Sequence, residues 1–360
     1  MKEIDLSLGN VEKKDIVSIV EDFIKKEDFI CKDSSSLNDY NNEQNKIQIA
    51  DVNQEKDFSE LGIVTFSEKT RATIKIQDGC NNFCTYCLIP YARGRVRSRN
   101  KENIIEEVTK IAQKGIKEIV ITGIHIASYG IDFEEDYKLI DLLEDLNKID
   151  GIKRIRLGSL EPSLITEEFA LRLSKLEKIC NQFHLSLQSG CDETLKRMNR
   201  KYTCDEFRKV TKILREHFKD VNLTTDIIVG FPGETEEEFN KTYEFLKEIK
   251  FYKMHVFKYS PREGTPAATM PNQVDGNIKE QRSQKLIELS DKNQEEYNKI
   301  YLSKPVEVLF EEQKDGMWTG YTTNYIKVSI KSDGNLENEI KLVKAFWGFL
   351  GHLPKTWLWK

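Results

Sequence analysis

Between about Arg71 and Pro261 the sequence switches repeatedly from a short β-rich run to a helical pattern, and this alternation limits the fold more than any other feature. The strand-like runs are Ala72–Gln77, Glu118–Thr122, Arg154–Gly158, His184–Gln188, Leu223–Val229 and Met254–Tyr259. Between them apolar residues recur at helical spacing, as in Ile104/Ile105/Val108/Ile111 and Leu139/Ile140/Leu143/Leu146. A further helix, carrying Phe239/Tyr243/Leu246, opens with Thr235 and Glu238 at capping-box spacing. Successive β–α units of this kind build a parallel sheet with crossover helices. Periodicity alone fits a barrel and a doubly wound sheet equally well. The polar motifs favour the barrel. Asp78-Gly79-Cys80, Thr122-Gly123-Ile124-His125, Gly158-Ser159-Leu160-Glu161-Pro162, Gln188-Ser189-Gly190 and Gly230-Phe231-Pro232-Gly233 each follow a strand. Sites built on the C-terminal ends of every strand follow the barrel rule. The expected architecture is α/β, an incomplete six-stranded (β/α) barrel over 66–275.

The flanks read differently. Residues 11–26 predict an amphipathic helix with Ile16, Ile19, Val20 and Phe23 on one face, which something must cover. From Lys32 to about Asp57 the chain is polar and reads as a linker. A polar helix is expected over 276–300. After it, Val306–Phe310, Gly320–Tyr321, Tyr325–Ile330 and Glu339–Val343 predict a small β module over 301–360, with Asp315-Gly316 and Asp333-Gly334 as turns. The residues after Val343 are apolar and aromatic, which is odd for a closing strand. The net charge of -5 leaves any nucleic-acid binding to local patches. No apolar stretch approaches the ~18 residues of a membrane span, and the N-terminus lacks the pattern of a signal peptide. Seven cysteines, an odd and scattered set, suit a reducing cytoplasm better than a disulfide framework.

Cys80, Cys84 and Cys87 form a C-x3-C-x2-C cluster just after the first strand. A [4Fe–4S] cluster normally takes four thiolates. Three would leave one iron open to bind and reduce a substrate, which points to chemistry rather than electron storage. A zinc site remains the alternative, but such sites usually close with four ligands from paired units. The next Cys or His residues are His125 and Cys180, neither of them adjacent.

The other motifs are softer. A glycine at 123 lets backbone approach a ligand closely. Ser159 and Glu161 place a hydroxyl and a carboxylate at a strand end; Glu161 could accept from ribose hydroxyls or serve a helix start. In the alternating run after His184, Ser186 and Gln188 share one side and Leu185 and Leu187 the other, which aims Gln188 at the upper barrel interior. Cys191 lacks a paired base and reads as structural. Arg93, Arg95, Arg97 and Arg99 recur at every second position, so an extended segment would line them up as a phosphate rail. A solvated loop is the alternative.

Taken together and in order, these motifs resemble the radical S-adenosylmethionine (SAM) methylthiotransferases. The likeness covers about residues 66–345 and includes Ile89-Pro-Tyr-Ala-Arg-Gly94, Asp226-Ile-Ile-Val-Gly-Phe-Pro-Gly-Glu-Thr235 and Phe257-Lys-Tyr-Ser-Pro-Arg-Glu-Gly-Thr-Pro266. The wording is most similar to the branch that places a methylthio group at C2 of N6-threonylcarbamoyladenosine in tRNA. The resemblance implies a [4Fe–4S] cluster on Cys80, Cys84 and Cys87, with SAM chelated at the open iron and cleaved by one electron. It implies that Tyr86 lies beside the adenine and that Gly123, Ser159, Glu161 and Gln188 belong to the SAM pocket. It implies tRNA and an electron donor such as a flavodoxin or ferredoxin as partners. The β module resembles the TRAM domain, a small RNA-binding barrel, which brings Tyr325 and Lys327 forward as RNA contacts beside Arg93, Arg95 and Arg97; a place for Tyr321 and Tyr325 in the barrel core is the alternative.

The chain also departs from that family. Members carry an N-terminal domain with three further cysteines holding a second, sulfur-handling [4Fe–4S] cluster. Here Cys31 is the only cysteine before Cys80, so residues 1–65 read as a remnant of that domain plus a linker. Methylthiolation is therefore expected to be impaired in this chain. Two other functions stay open: SAM cleavage with tRNA binding but no sulfur insertion, and RNA binding with a structural metal site.

Overall fold

The computed structural model describes residues 6–32, 47–48, 52, 55, 57–60, 70–302, 304–344 and 358–359. Near the start, β1 (Ser7–Leu8) pairs in parallel with β2 (Ile47–Gln48). Between them α1 (Ile16–Lys32) follows a 3-10 turn at Glu12–Asp15, so the helix expected at 11–26 begins and ends later. Cys31 falls inside α1. Ile16 and Val20 on its apolar face are exposed among the described residues.

The catalytic-looking part begins with β3 (Arg71–Asp78), α2 (Ile89–Arg93), β4 (Arg97–Ser98) and α3 (Lys101–Gln113). It continues with β5 (Glu118–Gly123), α4 (Leu139–Asn147), β6 (Arg154–Leu157) and α5 (Glu167–Ser174). Then come β7 (Gln182–Gln188), α6 (Asp192–Arg197), α7 (Cys204–His217), β8 (Asn222–Val229), α8 (Glu236–Ile249) and β9 (Lys253–Lys258). Helix starts carry the side chains that such starts need. Asn100 accepts from the backbone N–H groups of Glu102 and Asn103, while Thr203–Glu206 and Thr235–Glu238 form capping boxes.

Strands β3, β5 and β6 pair in parallel, and so do β7, β8 and β9. Isolated parallel bridges, Ile155 to Ile179 and Leu160 to Leu185, join the two sets. The parallel strands thus run in chain order, and β4 closes antiparallel onto the free edge of β3. This is the expected open, incomplete barrel. Its hydrophobic core lies outside the sheet, under the helices. Ala72, Ile74, Ile76, Ile119, Ile121, Leu185 and Leu187 all point there and are buried. The alternate residues face the lumen and are mostly polar, among them Lys75 and Gln77, Thr122, Ser186 and Gln188, and Asp226, with Val120 and Ile228 as apolar exceptions. A lumen lined in this way suits a polar ligand rather than close packing.

α9 (Gly276–Lys299) leads to the C-terminal module of β10 (Pro305–Lys314), β11 (Met317–Thr322), β12 (Lys327–Lys331) and β13 (Ile340–Lys344). These pair antiparallel in the order β13-β10-β11-β12, around Val308, Phe310, Trp318, Ile326 and Val328. β14 (Leu358–Trp359) adds in parallel to β12. The rest of the aromatic tail, 345–357, lies outside the described residues. No described helix is long and apolar enough to cross a membrane.

The module docks on the N-terminal end of the barrel strands. Arg154 Nη1 donates to the Tyr321 carbonyl (2.8 Å) and its Nη2 to Glu307 Oε1 (3.0 Å). Arg156 pairs with buried Glu118 and donates to carbonyls at Thr322 and Thr323. Tyr321 and Tyr325 stack at 4.5 Å, with Arg71 and Arg156 packed against the pair.

Candidate functional site

The cysteine loop hangs from the C-terminal end of β3, and three features fold it there. Gln77 is fully buried; its Nε2 donates to the carbonyls of Asp78 (2.6 Å) and Gly79 (2.7 Å), while its Oε1 accepts from the His125 backbone N–H (2.7 Å). The amide therefore ties the cysteine loop to the turn after β5. Gly79 turns the chain at φ 72°, and a Cβ there would lie 1.8 Å from the Arg95 carbonyl oxygen. The segment after α6 closes the loop from above. Thr85 Oγ1 donates to the Arg197 carbonyl (2.9 Å), and Asn199 Nδ2 donates to that of Phe83 (2.9 Å).

Each cysteine sulfur meets a donor. The Asn82 N–H lies 3.5 Å from Cys80 Sγ, the Ile89 N–H 3.4 Å from Cys87 Sγ, and Arg200 Nη1 3.3 Å from Cys84 Sγ. Such donors favour thiolates, the form that ligates metal. As free thiols, burial pushes Cys80 and Cys87 above the ordinary range, opposed by those same N–H groups and reinforced by the neighbouring cysteines. Among the described residues no three ligating side chains gather around a single point. A cubane does not ask that of them, because each thiolate takes a different iron. The residues present fit a three-thiolate cluster.

Arg200 links that loop to the strand ends. Its Nη2 sits 2.8 Å from both carboxylate oxygens of Glu161 and 3.2 Å from the Ser186 carbonyl, and its Nε donates to the Tyr202 hydroxyl (2.9 Å). Against the cost of its burial, the neighbouring Tyr202 and Glu161 side chains raise this guanidinium above its ordinary range. The Tyr202 hydroxyl lies 2.5 Å from the Ser186 carbonyl and 2.7 Å from that of Leu187. It braces β7 where its register slips and Gln188 takes φ 70°. His125 Nε2 lies 3.6 Å from Glu161 Oε2 and 3.1 Å from Asn82 Nδ2. Backbone irregularity of this sort gathers where a site is built.

The expected SAM-pocket residues all fall at this end of the barrel. Tyr86 packs edge-on against Phe231, 6.3 Å between centroids, and burial pushes its phenol well above the usual range. Gly123 sits so close to Gln77 that a Cβ would be 3.0 Å from its carbonyl oxygen. Glu161 is buried, Gln188 half-buried and Ser159 exposed. Gln77, Arg200 and Tyr202 were missed by sequence reasoning. Gln77 carried a signal, the polar step at the end of an alternating strand. Arg200 and Tyr202 lie in a short connection between helices with no pattern to mark them.

The residues expected to meet RNA do not come together. Arg93 closes α2 and reaches Asn10 (2.5 Å) and Asp78 (3.8 Å). Arg97 is buried, and Arg99 is buried between Glu60 and Glu107. The phosphate rail is therefore corrected: Pro90 starts a helix, Gly94 turns the chain at φ 73°, and Arg95 alone of the four is exposed. Tyr325 lies at the opposite end of the barrel, half-buried in the stack with Tyr321, and Lys327 is exposed on β12.

Comparison with known proteins agrees with this geometry. The family model described as the radical SAM superfamily matches residues 74–246. Threonylcarbamoyladenosine tRNA methylthiotransferase MtaB of Bacillus subtilis is 44% identical over 86% of this chain and 70% of its own length. The protein of the same name from Aquifex aeolicus is 37% identical over 94% of this chain and 76% of its own. The tRNA-2-methylthio-N(6)-dimethylallyladenosine synthase of Alkaliphilus oremlandii is 47% identical over 66% of this chain, which spans 50% of that relative. A solved radical S-adenosylmethionine methyltransferase, TsrM from Kitasatospora setae, is a distant likeness: TM-score 0.47 and 19% identity over 55% of this chain and 38% of that one.

Proposed function

This chain belongs to the radical SAM tRNA methylthiotransferases, and from that premise we propose that it acts on tRNA at C2 of N6-threonylcarbamoyladenosine. The observation that carries the proposal is the Cys84–Arg200–Glu161 chain of contacts, which couples a three-cysteine loop to the strand ends where a nucleoside ligand would lie. Cys80, Cys84 and Cys87 would hold a [4Fe–4S] cluster. With SAM bound, that cluster supplies radical chemistry able to remove hydrogen from a carbon that acids and nucleophiles leave untouched. Tyr86 would flank the adenine, Glu161 would accept from the ribose or the amino group, and Gly123, Ser159 and Gln188 would line the remainder. Arg200 holds the Glu161 carboxyl in place. Arg93, Arg95, Arg97, Tyr325 and Lys327 were the expected RNA contacts; the exposed Arg95 and Lys327 fit that role best. A flavodoxin or ferredoxin in the cytoplasm would supply electrons.

A second reading, SAM cleavage without sulfur insertion, is favoured by the state of the other described cysteines. Cys180 is buried and its thiol is pushed up to about 11 by that burial. Cys191 donates to Glu193 Oε2 (2.9 Å), and burial and a hydrogen bond to Asp192 raise Cys204. Cys180 precedes β7 while Cys191 and Cys204 stand at the starts of α6 and α7, a scattered placement unlike the Cys80–Cys87 loop. Mass spectrometry of nucleosides from tRNA incubated with the reduced protein and SAM separates the readings. A 2-methylthio product supports the first. Formation of 5′-deoxyadenosine without that product supports the second, and neither product would sink both.

A further inference from the structure

Of the four alternating arginines, three are committed inside the protein and the fourth is not. Arg95 is exposed, and among the described residues no carboxylate pairs with it; its guanidinium lies 4.7 Å from the centre of the Phe83 ring. Phe83 sits between Cys80 and Cys84 and takes φ 49°, a conformation that costs a bulky residue energy and persists only where its surroundings enforce it. Its ring meets that of Tyr91 edge to face at 5.7 Å, and Tyr91 is 53% exposed. On the other side, Asn199 bonds the Phe83 carbonyl and accepts from Lys201 Nζ (2.7 Å), a second exposed cation with no carboxylate partner among the described residues. Two rings, one of them facing solvent, and the Arg95 cation thus share the cysteine loop, with Lys201 tied to its backbone through Asn199.

We infer that Phe83, Tyr91, Arg95 and Lys201 form a platform for the unpaired nucleotides that flank the target adenosine, with Tyr91 stacking on a base and Arg95 and Lys201 meeting phosphates. The inference rests on the tRNA reading above. An acidic protein partner would use the cations but has no need of the rings. Single-stranded RNA uses both, since every base has a face to stack and every linkage a charge. Position agrees: a nucleoside held at the strand ends leaves its neighbours at the rim, where this loop lies.

The test is binding of an anticodon stem-loop RNA carrying N6-threonylcarbamoyladenosine to the full chain, followed by anisotropy across a salt series. Tyr91→Ala should weaken binding about tenfold, and Tyr91→Phe should restore it, because stacking needs the ring and not the hydroxyl. Arg95→Ala should lower the slope of log K against log salt by about 0.7. Iron content should match that of the unaltered chain in every variant, showing an intact loop. If the unaltered chain does not bind the stem-loop, the tRNA reading itself fails. If it binds and the variants bind equally well, the platform is wrong. Equal RNA binding with impaired reduction by a flavodoxin would assign the surface to the electron donor and overturn the inference.

Discussion

Arg200 is the residue on which the site's geometry turns. It is 6% exposed at its side chain, bridges Glu161 to Cys84 Sγ, and helps fix the backbone at Ser186. Arg200→Gln leaves the buried Glu161 side chain with His125 at 3.6 Å as its remaining partner among the described residues, and breaking a buried pair costs roughly 3–5 kcal/mol. The expected result is a SAM dissociation constant raised at least tenfold by equilibrium dialysis, with iron retained; unchanged affinity would show that Glu161 does not serve the SAM pocket. Cys80→Ala, Cys84→Ala and Cys87→Ala should each abolish SAM cleavage, whereas Cys180→Ala should leave iron content unchanged. Activity above a few per cent in any of the first three would count against the three-thiolate site. The cysteine triplet was legible because its pattern is one of local spacing. Arg200 was not, because its role depends on a contact across 39 positions of chain.

At the scale of elements, the strands were readable and the turns between them only in part. β3 and β7 alternate polar and apolar residues and β5 and β8 carry β-branched apolar runs, so all four appear within a residue or two of their predicted bounds. The arginine segment misled for a related reason. Alternating charges look extended, yet Pro90 and Gly94 divide the stretch into a helix, a turn and the two-residue β4. No periodicity announces so short a strand. Gly79 is where an element and the site meet. Gly79→Ala would force a Cβ onto the Arg95 carbonyl in a positive-φ conformation, moving the whole loop at the end of β3. The expected outcome is loss of most bound iron with far-UV circular dichroism preserved. Full iron retention would mean that the loop can be rebuilt without this turn.

The whole molecule joins two units with opposite demands. The barrel presents its open polar lumen and cysteine loop at one end and clamps the C-terminal module at the other through Arg71, Arg154, Arg156 and Glu118. The sequence offered the module's strands and turns but not its docking. Tyr325 looked like a stacking residue for RNA and instead stacks within the chain. Arg154 is 2% exposed at its side chain, so Arg154→Ala should free the module: two unfolding transitions by calorimetry in place of one, and faster proteolysis near residue 300. A single transition would mean the module is held by other contacts. The central claim, that Cys80, Cys84 and Cys87 hold an iron–sulfur cluster with an open iron, is tested most directly by metal and acid-labile sulfide analysis of the anaerobically reconstituted chain. The account predicts about four irons and about four sulfides per chain. Zinc without sulfide would contradict it.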